Sequence, residues 1–65
     1  MIGVGICVKS NFGFTLLHEY EIMFLQSDVV TATSDDGLEW FISYQGDSYY
    51  GYTDCYGKEV RFLVK

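Results

Sequence analysis

An all-β domain, a small antiparallel barrel or a strongly bent sheet of five to six short strands, is what three features of this sequence predict. Apolar and polar residues alternate with a period of two in several runs, and no proline interrupts a backbone ladder. Two turn signals, Ser34-Asp35-Asp36-Gly37 and Asp54-Cys55-Tyr56-Gly57, lie 20 residues apart between β-rich stretches. With 65 residues there is room for one core and one domain, spanning 1–65.

The first strand is read from Ile2, Val4, Ile6 and Val8, which alternate with Gly3, Gly5, Cys7 and Lys9. This spacing predicts a branched apolar face turned to the core. The glycines on the other face remove side chains where a barrel strand bends or another backbone comes close. Ser10 to Thr15 reads as a loop around Gly13. His18 to Leu25 then alternates again, with Tyr20, Ile22 and Phe24 opposite Glu19, Glu21 and Met23. A helix from Leu16 to Gln26 competes with this strand, because Leu16, Tyr20, Met23 and Phe24 also fit a helical stripe.

Val29 to Thr33 and Leu38 to Ser43 form a hairpin around the first turn, where Gly37 supplies the positive φ such a turn needs. A shift of 20 residues lays Tyr49 to Thr53 and Lys58 to Leu63 over this hairpin, matching Thr33 with Thr53, Gly37 with Gly57 and Glu39 with Glu59. Six strands in meander order would bury Ile2, Val4, Ile6, Val8, Tyr20, Ile22, Phe24, Val30, Leu38, Trp40, Ile42, Val60, Phe62 and Val64. Closure or curling of the sheet protects its edges from pairing with other chains.

The stretch from Ile6 to Ser43 carries Ile6-Cys7-Val8-Lys9-Ser10, then Phe14-Thr15-Leu16-Leu17-His18-Glu19-Tyr20-Glu21-Ile22, then Asp35-Asp36-Gly37-Leu38-Glu39-Trp40-Phe41. It resembles the small SH3-like barrels of bacteria and their phages. The resemblance implies a first strand, a long loop, a tyrosine-bearing second strand and an acidic-Gly turn before an aromatic strand, in domains that mostly serve as binding modules. After Ser43 the chain departs from that pattern: a Gly/Tyr-rich segment and a second hairpin stand where the family has a proline and a 3₁₀ turn. No ligand-binding residue is therefore carried over. Asn11-Phe12-Gly13-Phe14 is also similar to the Gly-Phe element with which cold-shock proteins stack bases.

Electrostatics argue against nucleic acid as a direct ligand. The chain has a formal net charge of −5, and between Lys9 and Lys58 there is no Lys or Arg. That block holds Glu19, Glu21, Asp28, Asp35, Asp36, Glu39, Asp47 and Asp54, eight carboxylates and a formal charge of −8. Such a surface repels phosphate backbones, whose binding relies on cations releasing counterions. Two readings of the block remain: a solvated surface that maintains solubility, or a face that docks on a basic protein partner, such as the surface of a nucleic-acid enzyme.

Half of the residues, 49%, are hydrophobic, too many for a disordered chain, and charges interrupt them too often for a membrane segment. The apolar start lacks a basic n-region and meets Lys9 early, so it does not read as a signal peptide, and a cytoplasmic location with Cys7 and Cys55 reduced is the expectation.

Tyr44, Tyr49, Tyr50, Tyr52 and Tyr56, interleaved with Gly, Ser, Asp47 and Asp54, have the composition of a binding loop, since tyrosine offers contact area at low entropic cost. The competing reading is a hairpin whose rings pack across the strands. The candidate site for a protein partner therefore comprises Tyr44, Asp47, Tyr49, Tyr50, Tyr52, Asp54 and Tyr56, with Asp35 and Asp36.

His18, Glu19, Glu21 and the two cysteines lack the spacing of a metal site, and no cofactor is expected. Asp35-Asp36 could form a carboxylate dyad, but turn geometry alone selects Asp before Gly. With one His and no Gly-rich phosphate loop, the chain does not read as an enzyme. A small-molecule pocket would compete with the core for the same side chains. The expectation is a small accessory or inhibitory protein of the kind phages encode. The alternative is a structural protein whose exposed strand pairs with a second copy to make a homodimer or larger oligomer.

Overall fold

Six strands follow one another along the chain: β1 (Ile2–Lys9), β2 (Glu19–Gln26), β3 (Val29–Thr33), β4 (Glu39–Gly46), β5 (Tyr49–Thr53) and β6 (Glu59–Val64). The computed structural model describes residues 1–26 and 29–64, so Asp28 of the acidic block lies outside the described residues. Each strand pairs antiparallel with the next, and β1 also pairs with β6, which closes the barrel. No helix forms over residues 16–26; Glu19–Gln26 is a strand, held on one side by β1 and on the other by β3.

The two similar hairpins are real in space. Ser34 N–H donates to the Leu38 carbonyl at 2.8 Å and Gly37 N–H to the Ser34 carbonyl at 3.0 Å. Asp54 N–H donates to the Lys58 carbonyl at 2.9 Å and Gly57 N–H to the Asp54 carbonyl at 3.1 Å. Gly37 and Gly57 have φ of 85° and 82°, so the offset of 20 residues repeats the backbone hydrogen bonds of the turn. The β4–β5 connection differs: Asp47 and Ser48 take φ of 53° and 69°, as in the type I′ loops that match strand twist.

The facing of β1 reverses the expectation. Cys7 is fully buried and Gly5 is buried beside it, whereas Ile2 and Val4 are 57% and 43% exposed and Val8 is exposed as well. The reason is the narrow interior. A Cβ on Gly5 would stand 3.0 Å from Ile22 Cγ1 and 3.2 Å from Phe62 Cβ, and one on Gly3 would stand 3.0 Å from Phe24 Cε2. The glycine face must therefore turn inward, and alternation turns Ile2, Val4, Ile6 and Val8 out. Leu38 is a second correction: it lies exposed beside the β3–β4 turn. Ile22, Val30, Ile42, Val60 and Phe62 are buried as expected, joined by Cys7, Phe14 and Ala32, while Tyr20, Phe24, Trp40 and Val64 pack against them.

The β4–β5 ladder covers only Ser43 to Gly46 against Gly51 to Tyr49, so the first half of β4 is laddered to β3 alone. Here the wall is completed by side chains. Phe12, from the loop between β1 and β2, stacks at 4.9 Å on Trp40 and 5.5 Å on Tyr52. Phe14 plugs the same end of the barrel, edge-on to Tyr20 at 5.0 Å and to Phe62 at 4.9 Å.

The inverted facing has a measurable consequence. In dilute solution Gly5→Ala lowers the free energy of unfolding by about 1–3 kcal/mol through overpacking, whereas Val4→Thr changes it by less than about 1 kcal/mol. Urea denaturation of both variants checks this, and the opposite order would restore the branched face to the interior.

Candidate functional site

The nine candidate site residues divide between the two ends of the barrel. In an antiparallel meander the β1–β2 loop and the β3–β4 and β5–β6 turns share one end, and the β4–β5 turn lies at the other. Asp35, Asp36, Tyr52, Asp54 and Tyr56 belong to the first end; Tyr44, Asp47, Tyr49 and Tyr50 belong to the second. The tyrosines consequently do not form a single contact surface.

Most of them are spent on packing. Tyr50 stands edge-on to Phe24 at 5.6 Å and tilted against Tyr44 at 5.2 Å. Tyr52 closes the trio with Phe12 and Trp40, and Tyr49 lies outside the wall beneath the Arg61 guanidinium, 5.6 Å from its ring centroid. Only Tyr44 and Tyr56 are mostly exposed, at 63% and 85%, on opposite ends. The Trp40 Nε1–H is buried without an acceptor. That costs about 1–3 kcal/mol, which the stacking of the trio has to offset.

The turn carboxylates are likewise committed. Asp35 accepts hydrogen bonds from Thr15 Oγ1 and, at 2.8 Å, from Tyr20 Oη, while its own N–H donates to the Gly13 carbonyl at 2.9 Å. It thereby clamps the β1–β2 loop to the β3–β4 turn. The hydroxyls of Thr15 and Tyr20, and the nearby His18, hold its carboxyl below the usual carboxylate range. Asp36 accepts from the Ser34 hydroxyl. Asp54 accepts from the N–H groups of Tyr56 and Lys58, both at 2.9 Å. Asp36 serves the local turn and Asp35 the clamp on the β1–β2 loop, so the two carboxylates are held by separate partners.

Sequence reasoning missed the outer wall. Cross-strand partners place Ile2 beside Met23, Met23 beside Thr31, and Thr31 beside Phe41 on the outward side. Phe41 is 66% exposed in the middle of a strand. The adjoining outward positions are Glu21 and Glu19 on β2, paired with Val4 and Ile6, and Glu39 on β4, paired with Thr33. The signal for Phe41 was present, because it has the opposite parity to the inward Trp40 and Ile42. No such signal existed for Ile2 and Val4.

On the far side of β1, Ile6 pairs with Leu63 and Leu63 with Tyr49. Lys9 and Arg61 both bind Glu59, at 3.2 and 2.9 Å, and hold its carboxyl low. Cys7 and Cys55 are both free; burial pushes the Cys7 thiol up, away from the thiolate form. Among the described residues no group of three or more His, Cys, Asp or Glu side chains gathers as for a metal ion, and no helix is long and apolar enough to cross a membrane. No family model, curated protein or solved structure matches the chain.

The clamp gives a pH dependence with a definite sign. A carboxyl whose folded value is depressed adds stability above its unfolded value and loses it as pH falls through the folded value. Asp35→Asn should therefore lower Tm at pH 7, and its deficit against the native chain should shrink as pH falls below the ordinary carboxylate value and through the depressed one. Thermal melts from neutral to acid pH test this; a deficit independent of pH would show that the Asp35 charge is not what holds the loop.

Proposed function

We propose that this chain is a small protein-binding module of SH3-like architecture that docks on a basic protein surface through the outer face of β2, β3 and β4. What supports the reading is Phe41, a large ring held out to solvent in the middle of a strand, in line with Met23 and Ile2 and next to Glu19, Glu21 and Glu39. An apolar row with a polar rim is the usual anatomy of a docking surface. No Lys or Arg stands on these three strands, so the rim is of one sign and favours a partner ringed with cations. The basic groove of a nucleic-acid enzyme is a surface of that kind, and an acidic domain seated there competes with nucleic acid.

Binding, not catalysis, is proposed because the carboxylates at the loop end are each committed to a structural hydrogen bond, Asp35 to Thr15 and Tyr20 and Asp36 and Asp54 to their turns. The tyrosine-rich segment supports the wall in this reading, and the contact surface moves from the tyrosines to the outward residues of β2 to β4.

Capture from a bacterial lysate tests the proposal through paired variants. A partner held by the native chain should bind Phe41→Ser or Glu39→Lys at least about tenfold more weakly, as for a central interface residue. Capture should also weaken with salt. Tyr44→Ser and Tyr56→Ser should leave it unchanged. Capture lost with the tyrosine variants and kept with Phe41→Ser would return the contact to the tyrosines and overturn the proposal.

A further inference from the structure

We infer that the outer face of β1 and β6 packs against the same face of a second copy of this chain, about a two-fold axis parallel to β1. The first observation is the stripe itself. Ile2, Val4, Ile6 and Val8 point away from the interior, Ile6 stands beside Leu63 and Leu63 beside Tyr49, and among the described residues no further layer covers them. A contiguous apolar surface of this kind on a small domain marks an interaction site.

Charge selects the occupant. Two copies carrying −5 each repel unless they meet where the acids are absent or balanced. Strands β2 to β5 contain no Lys or Arg, so among the described residues the cations of the outer wall are Lys9 on β1 and Arg61 on β6. Both are tied to Glu59, which leaves this part of the wall close to neutral. It is the part on which an acidic chain can approach its own copy.

Charge also selects the axis. The glutamates Glu19 and Glu21 flank β1 on its β2 side, and Lys9 and Arg61 lie toward its β6 side. Rotation about an axis parallel to β1 keeps each residue's level along the strand and lays β2 of one copy over β6 of the other, so Glu19, level with Ile6, meets Leu63 and no carboxylate. Rotation about an axis across the strands would lay glutamates over glutamates. An isologous contact follows, with the two β1 strands parallel.

A standard interface takes about 800 Å² from each partner, roughly a fifth of the 4271 Å² this chain exposes. Face packing replaces the edge pairing expected from sequence, because closure of β1 on β6 removes the edge that such pairing would use. The two faces share Ile2, Glu19 and Glu21, whereas Phe41 and Glu39 lie on β4, beyond β2 and β3 from β1, and stay outside this contact. Its test is thereby separate from that of the β2–β4 face.

Sedimentation of the purified chain at concentrations from about 1 μM to 1 mM should show a reversible monomer–dimer equilibrium, with a dissociation constant in the micromolar range. Val4→Glu should be monomeric throughout that range with an unchanged circular dichroism spectrum. Should that variant fail to fold, Val4→Thr with Ile6→Thr keeps β-branching and should weaken the dimer at least tenfold. Phe41→Ser should dimerise like the native chain. A native chain that stays monomeric at 1 mM, or a Val4/Ile6 variant that dimerises as well as the native chain, would overturn the inference.

Discussion

The bore of a six-stranded barrel is too narrow to receive a side chain at every inward position, and this constraint governs the rest of the molecule. Ile22, Phe24 and Phe62 reach across from β2 and β6 and occupy the space that β1 would otherwise fill. Only a strand with hydrogen in place of Cβ at Gly3 and Gly5 can close against them. Close packing leaves no room for a compromise, since a methyl group at either position already lies at the limit of contact. Closure of the wall is thus obtained by turning the branched residues of β1 outward, and an apolar outer stripe is a structural by-product before it is anything else.

How much of this was legible in the sequence depends on what each signal encodes. Period-two alternation reports that a segment is a strand, and Gly37 and Gly57 report where turns must take positive φ, so six strands and the matched hairpins were readable. Alternation does not report which of two faces points inward when one is Ile and Val and the other is Gly and Cys. Hydrophobicity favoured the first face; volume decided for the second. The same limit applies to the tyrosines. Composition identified Tyr44 to Tyr56 as unusual, but only the register, which pairs Tyr44 with Tyr50 and Tyr52 with Val60, sends neighbouring rings to opposite ends.

The acidic residues, uniform in composition, divide into two populations by position. Asp35, Asp36 and Asp54 accept hydrogen bonds at the loop end, Asp35 to hold the β1–β2 loop and the other two to shape turns. Glu19, Glu21 and Glu39 lie on the outer wall, where a strand needs no carboxylate for its geometry. An aspartate before a turn glycine is explained by the turn. Glu39, beside the exposed Phe41, accepts one hydrogen bond, from the hydroxyl of the buried Thr31 at 3.4 Å, and is otherwise turned to solvent.

The loop between β1 and β2 shows how the barrel tolerates its weakest seam. Where β4 and β5 part, the missing ladder hydrogen bonds are replaced by the rings of Phe12, Trp40 and Tyr52, and to reach them Phe12 adopts φ of 54°, a region that disfavours large side chains. That conformation persists because its surroundings fix it: the Asn11 side chain accepts the Phe12 N–H at 3.0 Å, Gly13 follows with φ of 86°, and Asp35 clamps the next turn. Aromatic rings and one carboxylate therefore supply the closure that backbone pairing leaves incomplete. The β1–β2 loop is thus part of the scaffold, the reverse of the usual division between a rigid scaffold and functional loops.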